Sequence, residues 1–316
     1  MHRDSSPRPA TSGPVYAERM TGSRVLWLIL CLIATSGSGV GGAQPGPPPP
    51  LSVNLTPKYV IAGSPELIRV EGVQATDAEG EWLGHKLLFF RVGDSRTWIA
   101  LAGVDVEATP GPSDLVIHLH GCRESCDTTR SIEIHPAHYR IGKLTVAPKF
   151  VEPGPEELKE IAADREIKDK VFAASASEPL WHGSFHAPVK MPPTDSFGTR
   201  RMFNGKLASI HKGMDFRAPA GTVVRASNDG IVVLARHLYF EGNCVIVDHG
   251  LGVYTLSMHF SRIDVHEGQH VKTGDKLGLS GATGRVTGPH LHWAVRWENA
   301  YLDPAKLLRL NLNTIR

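Results

Sequence analysis

The sequence predicts a mostly β protein: an N-terminal immunoglobulin-like β-sandwich, a helical linker and a C-terminal antiparallel β-sheet domain. Three observations carry this reading. Short β-branched and apolar runs broken by turn residues fill residues 51–150 and return over 182–308. A charged stretch that follows a proline separates the two sets of strands. Near the C-terminus, polar and apolar residues alternate with the period of a strand.

The chain has 316 residues, a formal charge of +2, 41% apolar and 21% charged residues, 32 glycines and 23 prolines. Such a composition excludes a collagen, a coiled coil and a wholly disordered chain, and the length suffices for two modest domains. The first segment, residues 1–43, reads as a secretory signal. Arg24 precedes the apolar run Val25–Ala34, and small residues lead to Ala43, where cleavage is expected. The run is shorter than the roughly 20 residues a spanning helix needs. Met20 is an alternative start, which would shorten the long segment before Arg24. Leu30 rather than a small residue precedes Cys31, so a lipidation site is not expected there.

Residues 1–43 contain four arginines (3, 8, 19, 24) against Asp4 and Glu18, so the remaining chain is formally neutral, +2 minus +2. A neutral chain has no electrostatic attraction to nucleic acid or an anionic membrane. Neither is expected as a partner, and no stable membrane insertion is expected after signal cleavage. Residues 44–50 end in four prolines, an extended spacer.

Within 51–150, Lys58–Ile61, Leu67–Val70, Leu87–Val92 and Leu115–Leu119 read as strands, with Gly63-Ser64-Pro65 and Pro110-Gly111-Pro112 as turns. Cys122 and Cys126 suit a small disulfide in an exported chain, and Cys244 reads as a buried strand thiol. Residues 151–181 form the linker, with a helix beginning near Glu156; its position suggests that it lies against the functional groove and restrains it. In 182–308, Asn228-Asp229-Gly230 predicts a hairpin joining Val223-Val224 to Ile231–Leu234, and His249–Gly252 a second one joining Cys244–Val247 to Val253–Leu256. His237, His249, His266 and His270 are expected at turns or on the surface.

Two motifs in this last region carry chemistry: His211-Lys212-Gly213-Met214-Asp215 and His290-Leu291-His292. Alternation puts Leu291, Trp293 and Val295 on one strand face and both imidazoles on the other, where they can converge on one metal ion or water. Gly213 and Pro219 oppose a helix around the first motif, but a turn or strand can still present His211 and Asp215 to one point. Imidazole nitrogen and carboxylate oxygen are zinc ligands, and a catalytic zinc site keeps three protein ligands plus a water. His118-Leu119-His120 has the same alternation without a matching carboxylate motif, and is expected to be an ordinary strand face.

With Phe197–Gly205, Val265–Gly278 and Gly284–His292, these motifs resemble the M23 (lysostaphin or LytM type) metallopeptidases over residues 182–304. Residues 51–150 look like the β-sandwich that often precedes such domains. The resemblance implies a zinc metalloendopeptidase that hydrolyses peptide bonds in peptidoglycan stem peptides or cross-bridges. It implies His211, Asp215 and His292 as Zn²⁺ ligands, and His259 and His290 beside the metal water as general base or transition-state stabiliser. Asn204 matches an asparagine that approaches zinc in latent forms. No organic cofactor is implied, and the location is the periplasm, cell envelope or exterior. The family usually has an aromatic residue where this chain has Ser257; Tyr254, at odd spacing from His259, is expected on the opposite strand face. Relatives that bind and activate wall amidases have typically lost metal ligands, which this chain keeps. A wall-binding module acting through residues 51–148 is a third reading, without an aromatic cluster to support it.

Overall fold

Side-chain alternation builds the first half of the molecule. The strands are β1 (Ser52–Thr56), β2 (Pro65–Glu71), β3 (Asp77–Trp82), β4 (His85–Leu88), β5 (Phe90–Arg91), β6 (Thr97–Gly103), β7 (Gly111–His120) and β8 (Thr128–Ile134). They form two four-stranded antiparallel sheets, ordered β1-β2-β6-β5 and β4-β3-β7-β8. On β7, Leu115, Ile117 and Leu119 are buried while His118 and His120 face out, as period-2 burial requires. Cys122 and Cys126 are disulfide-bonded, and Cys244 is a buried free thiol.

β9 (Ile141–Leu144) leaves the sandwich, and α1 (Pro155–Phe172) follows. Pro155 pre-sets the first turn of α1, Glu156 and Glu157 lie at its positive end, and Lys170 lies in its last turn. The remaining elements are β10 (Pro193–Asp195), β11 (Arg200–Phe203), β12 (Lys206–Ile210), β13 (Met214–Phe216), β14 (Val223–Arg225), β15 (Gly230–Leu238), β16 (Gly242–Asp248), β17 (Val253–Ile263), β18 (His270–Val271), β19 (Lys276–Ser280), β20 (Leu291–Trp297), β21 (Ala300–Leu302) and α2 (Pro304–Leu307).

This computed structural model describes residues 51–313 except 73, 94–95, 123–125, 145–149, 151 and 204–205. The expected signal, the proline spacer and Asn204 lie outside the described residues. The protein is mostly β, as the sequence predicts, with 46% strand and 9% helix among the described residues. A ten-stranded sheet runs β10-β13-β20-β17-β16-β15-β18, with β14, β19 and β21 attached beside that path. β9 pairs in parallel with β11 and so joins a small sheet ordered β12-β11-β9.

The large sheet buries both faces, each against a different partner. Leu291, Trp293, Val295 and Trp297 point into a core that is continuous with Ile68, Trp82 and Ile117 of the sandwich. Hydrogen bonds tie the same junction: Asp303 donates its N–H to the Gly63 carbonyl at 2.7 Å, and Tyr301 donates to Asp105 Oδ2 at 2.8 Å. On the other face, Leu234, Ile246, Tyr254, Leu256 and Met258 pack against Ile167, Val171 and Phe172 of α1. Asp164, buried in mid-helix, accepts from the Tyr239 N–H at 2.6 Å.

Several local expectations are corrected. Lys58–Ile61 is not a strand but follows β1 as a bend, with Ile61 in an isolated bridge to His135, and Gly111 and Pro112 open β7 instead of forming a turn. Asn228-Asp229-Gly230 is a bend, not a hairpin turn, because β14 pairs with β19 while β15 pairs with β16 and β18. The Asn228 side chain is consumed locally, its Oδ1 accepting from the backbone N–H groups of His182 and Asp229. His249 is not a surface residue. It is fully buried, with Nδ1 2.7 Å from the Asp229 carbonyl and Nε2 2.9 Å from Thr255 Oγ1. The turn beside it does join β16 to β17 as expected.

Candidate active site

Strand register brings the two motifs together. β13 and β20 are antiparallel neighbours in which Asp215 stands opposite His292, with Met214 and Phe216 opposite Trp293 and Leu291. Paired residues share a face, so the carboxylate and imidazole emerge side by side while their neighbours enter the core. His211 arrives from the end of β12. A Cβ on Gly213 would lie 2.5 Å from His292 Nε2, so glycine lets the two motifs approach.

The result is a tight, buried triad: His211, Asp215 and His292 are 2%, 7% and 9% exposed. His211 Nε2 lies 3.1 Å from Asp215 Oδ1 and 3.0 Å from His292 Nδ1, and His292 Nδ1 lies 2.9 Å from Asp215 Oδ1. His211 Nδ1 lies 3.0 Å from the Ser196 carbonyl, which assigns it as the donor and leaves a lone pair on Nε2. Among the described residues this is the cluster whose ligand atoms could hold a metal ion. A carboxylate oxygen and two ring nitrogens turned towards one point fit a zinc-type donor set.

Charges around the triad fix its carboxylates as anions. Burial pushes the Asp215 carboxyl upward, but hydrogen bonds to His211 and His292 outweigh it and hold the group below the usual carboxylate range. Burial likewise opposes ionisation of Asp195, and its bonds to His211, Arg140 and Arg201 win. Burial pushes the His292 imidazole down to about 4.

His259 and His290 stand beside the triad with ring centroids 4.9 Å apart. His259 Nδ1 lies 2.8 Å from the Thr283 carbonyl, and His290 Nδ1 lies 2.8 Å from the Gly288 carbonyl. Nδ1 of each ring therefore donates to a carbonyl and Nε2 is turned to the site, that of His290 lying 3.7 Å from Asp215 Oδ1. Burial, followed by the neighbouring His292 and His290, depresses His259 to about 3, so it is neutral at physiological pH.

The placement of His259 corrects the expectation for Tyr254. Tyr254, Leu256 and Met258 pair with Arg296, Ala294 and His292, so they share the face of the triad. His259 reaches the same face because its φ is +67°, a left-handed conformation at an irregularity in β17. The irregularity breaks the odd–even rule. Tyr254 is nonetheless spent on packing, with its ring against Phe172 at a centroid distance of 5.1 Å.

His118 and His120 do not converge. His118 meets Asp127 at 3.1 Å and His120 meets Glu79 at 3.4 Å, each on its own exposed partner. Sequence reasoning missed Asp195 and Arg201. Arg201 Nη2 donates to Asp195 Oδ2 at 2.9 Å and to Asp215 Oδ2 at 2.7 Å, and Asp195 Oδ2 lies 3.3 Å from His211 Nδ1. Two cavities of about 460 and 410 Å³ flank the triad, and both reach Arg201, His259 and Arg285.

The sequence profile described as "Peptidase family M23" matches residues 209–304, a span holding the triad, His259 and His290. This span is an M23 peptidase domain. The M23 region is 46% identical over 101 residues to "Peptidoglycan DD-endopeptidase ShyA" of Vibrio cholerae, covering 32% of this chain and 24% of that protein. It is 41% identical over 98 residues to "DD-carboxypeptidase/endopeptidase Mpg" of Neisseria meningitidis, covering 31% and 23%. The chain thus spans about a quarter of the length of these curated relatives. A crystal structure of a putative M23 peptidase from Pseudomonas aeruginosa is similar at a TM-score of 0.62 and 29% identity, covering 78% of this chain and 94% of that one. That similarity extends past the M23 span into the sandwich.

Proposed function

We propose that this protein is a zinc metalloendopeptidase that hydrolyses peptide bonds in the stem peptides or cross-bridges of peptidoglycan, exported to the cell envelope by its N-terminal segment. The observation that carries the reading is the convergence of His211 Nε2, Asp215 Oδ1 and His292 Nδ1 within hydrogen-bond distance of one another, beside two further imidazoles. The peptidase names of its M23 relatives supply the substrate class.

His211, Asp215 and His292 would hold the ion. A bound zinc ion would lower the pKa of a water and polarise the scissile carbonyl. The chain's own contribution is proton handling and orientation. His259 is neutral and buried, with its Nδ1 proton committed to the Thr283 carbonyl, so Nε2 is available to accept a proton from the attacking water. His290, whose Nδ1 donates to the Gly288 carbonyl, presents its ring across from His259, and in its protonated form it would donate from Nε2 to charge that develops on the carbonyl oxygen. Arg201 and Asp195 keep the ligand side chains in register.

The test is digestion of purified peptidoglycan by the full chain, with products identified by mass spectrometry and metal content measured in parallel. Peptide-bond cleavage products that vanish with a chelator and with His211→Ala would establish the activity and name the bond. A metal-loaded protein that releases no fragments from any wall preparation would refute it. A metal-free protein that stimulates an amidase would replace it with the regulator reading.

A further inference from the structure

One wall of the larger cavity is cationic. Arg140, Lys143, Arg201, Arg217 and Arg285 line it, against the carboxylates of Asp195 and Asp215. Those carboxylates are already matched: Arg140 donates to Asp195 Oδ1 at 2.6 Å, and Arg201 bridges Asp195 and Asp215. Arg285 stacks over the Phe240 ring at 4.5 Å. Lys143 and Arg217 form no ion pair among the described residues, and both are exposed.

Arg217 stands two residues beyond Asp215, just past the end of β13, and lines the same cavity as Asp215 and His290. The pairing that sets Asp215 opposite His292 and Phe216 opposite Leu291 ends there, and Arg217 donates its N–H to the Pro192 carbonyl at 3.0 Å. Lys143 is carried to the rim by β9, whose parallel pairing with β11 places Lys143 opposite Met202. Lys143 lies outside the span matched to family M23, so this part of the wall comes from the N-terminal half of the chain.

We propose that Arg217, supported by Lys143, forms a carboxylate-binding subsite, and that the preferred substrate peptide bears a free carboxylate on a residue flanking the scissile bond. A guanidinium in the cavity that His290 also lines can take such a carboxylate with two parallel hydrogen bonds. The subsite rests on the peptidase reading for its meaning but makes a separate claim about charge.

The experiment uses the full chain and two stem-peptide dimers that are identical except that the flanking carboxylate is free in one and a carboxamide in the other. Cleavage gives the ratio of kcat/KM values, and calorimetry gives binding of the same peptides to the His259→Ala protein. The free-carboxylate dimer should be preferred by at least about tenfold, the factor one charge-assisted hydrogen bond supplies. In Arg217→Gln the two dimers should converge to within about twofold, with Lys143→Gln intermediate. Cleavage of both dimers at equal rates by the wild type would overturn the subsite and leave the peptidase reading intact. A preference that survives in Arg217→Gln would also overturn it. Absence of cleavage with carboxylate-selective binding that Arg217→Gln abolishes would sustain the subsite and sink the peptidase reading, while absence of both would sink the two together.

Discussion

Arg201 Nη2 donates to Asp215 Oδ2 at 2.7 Å, the carboxylate oxygen left over when Oδ1 turns to His211 and His292. The same nitrogen reaches Asp195, and Asp195 reaches His211, so the contact closes a ring through two members of the triad. Partners of this kind orient metal ligands, and their loss typically costs about 10–100-fold in metal affinity or activity. Arg201→Gln and Asp195→Asn should therefore each weaken zinc binding by about that factor, measured by competition with a chelator of known affinity. Wild-type affinity in both variants would show that the ring is only a packing feature.

Removing His259 or His290 should have a different signature. Neither belongs to the triad, so His259→Ala and His290→Ala should retain metal while losing proton transfer and charge stabilisation. Such groups contribute about 10²–10⁴-fold to rate. Metal content by mass spectrometry together with kcat separates the cases: full occupancy with collapsed kcat is the expected result, and a loss of metal in step with activity would reassign the residue as a ligand.

The residues legible in the sequence were those whose chemistry repeats along a strand. His290 and His292 follow alternation, and His211 and Asp215 follow a spacing that a turn and short strand can satisfy. Their meeting depended on the pairing of Asp215 with His292, which lies 77 residues away in sequence. Arg201 and Asp195 leave no periodic trace because strand pairing places them: Asp195 stands opposite Asp215 across β10 and β13, and Arg201 reaches both carboxylates from β11. Arg217 could have been found, since it stands two residues from Asp215, just past the end of β13. Tyr254 was misread because alternation assumes an unbroken strand, and the left-handed backbone at His259 breaks it. His249 lies at the turn the sequence marks between β16 and β17, but nothing in the sequence marks that turn as buried.

That buried histidine makes the fold acid-sensitive. Burial depresses His249 to about 4, against about 6.5 in the unfolded chain. Between these values the unfolded state binds more protons, so stability present above pH 6.5 is lost as the pH falls through 4. The span corresponds to about 3 kcal/mol at most. Urea unfolding of wild type and His249→Gln at a series of pH values should show that the variant, less stable at pH 7.5, lacks this component of the acid loss. Parallel pH curves would contradict the assignment.

α1 is a packing element of the large sheet. Phe172 meets Tyr254 edge-on at 5.1 Å and carries the Arg296 guanidinium 3.8 Å above its ring. Truncating a half-buried phenylalanine with both contacts should cost about 2–3 kcal/mol. Phe172→Ala should lower the unfolding midpoint accordingly, and an unchanged midpoint would show that the helix merely rests on the sheet. Deleting α1 outright would also uncover Leu234, Ile246 and Leu256, so a point substitution is the cleaner probe of any restraint on the groove.

Glu66 should give the opposite pH dependence to His249. It is fully buried on β2, its Oε1 accepts from Ser64 Oγ at 2.6 Å, and its Oε2 has no protein partner among the described residues. Burial raises its pKa to about 8, against the Ser64 hydrogen bond and the Lys306 charge, which act to lower it. The folded state therefore holds a proton that the unfolded state releases near pH 4.5, so stability falls as the pH rises from there to 8. The slope contributed by this one group is about 1.4 kcal/mol per pH unit. Glu66→Gln keeps the side-chain shape and an acceptor for Ser64 but cannot ionise, so its stability relative to wild type should rise steadily from pH 5.5 to 7.5 in urea unfolding. A constant difference across that range would mean that Glu66 is already ionised in the folded protein, with its charge compensated by Lys306.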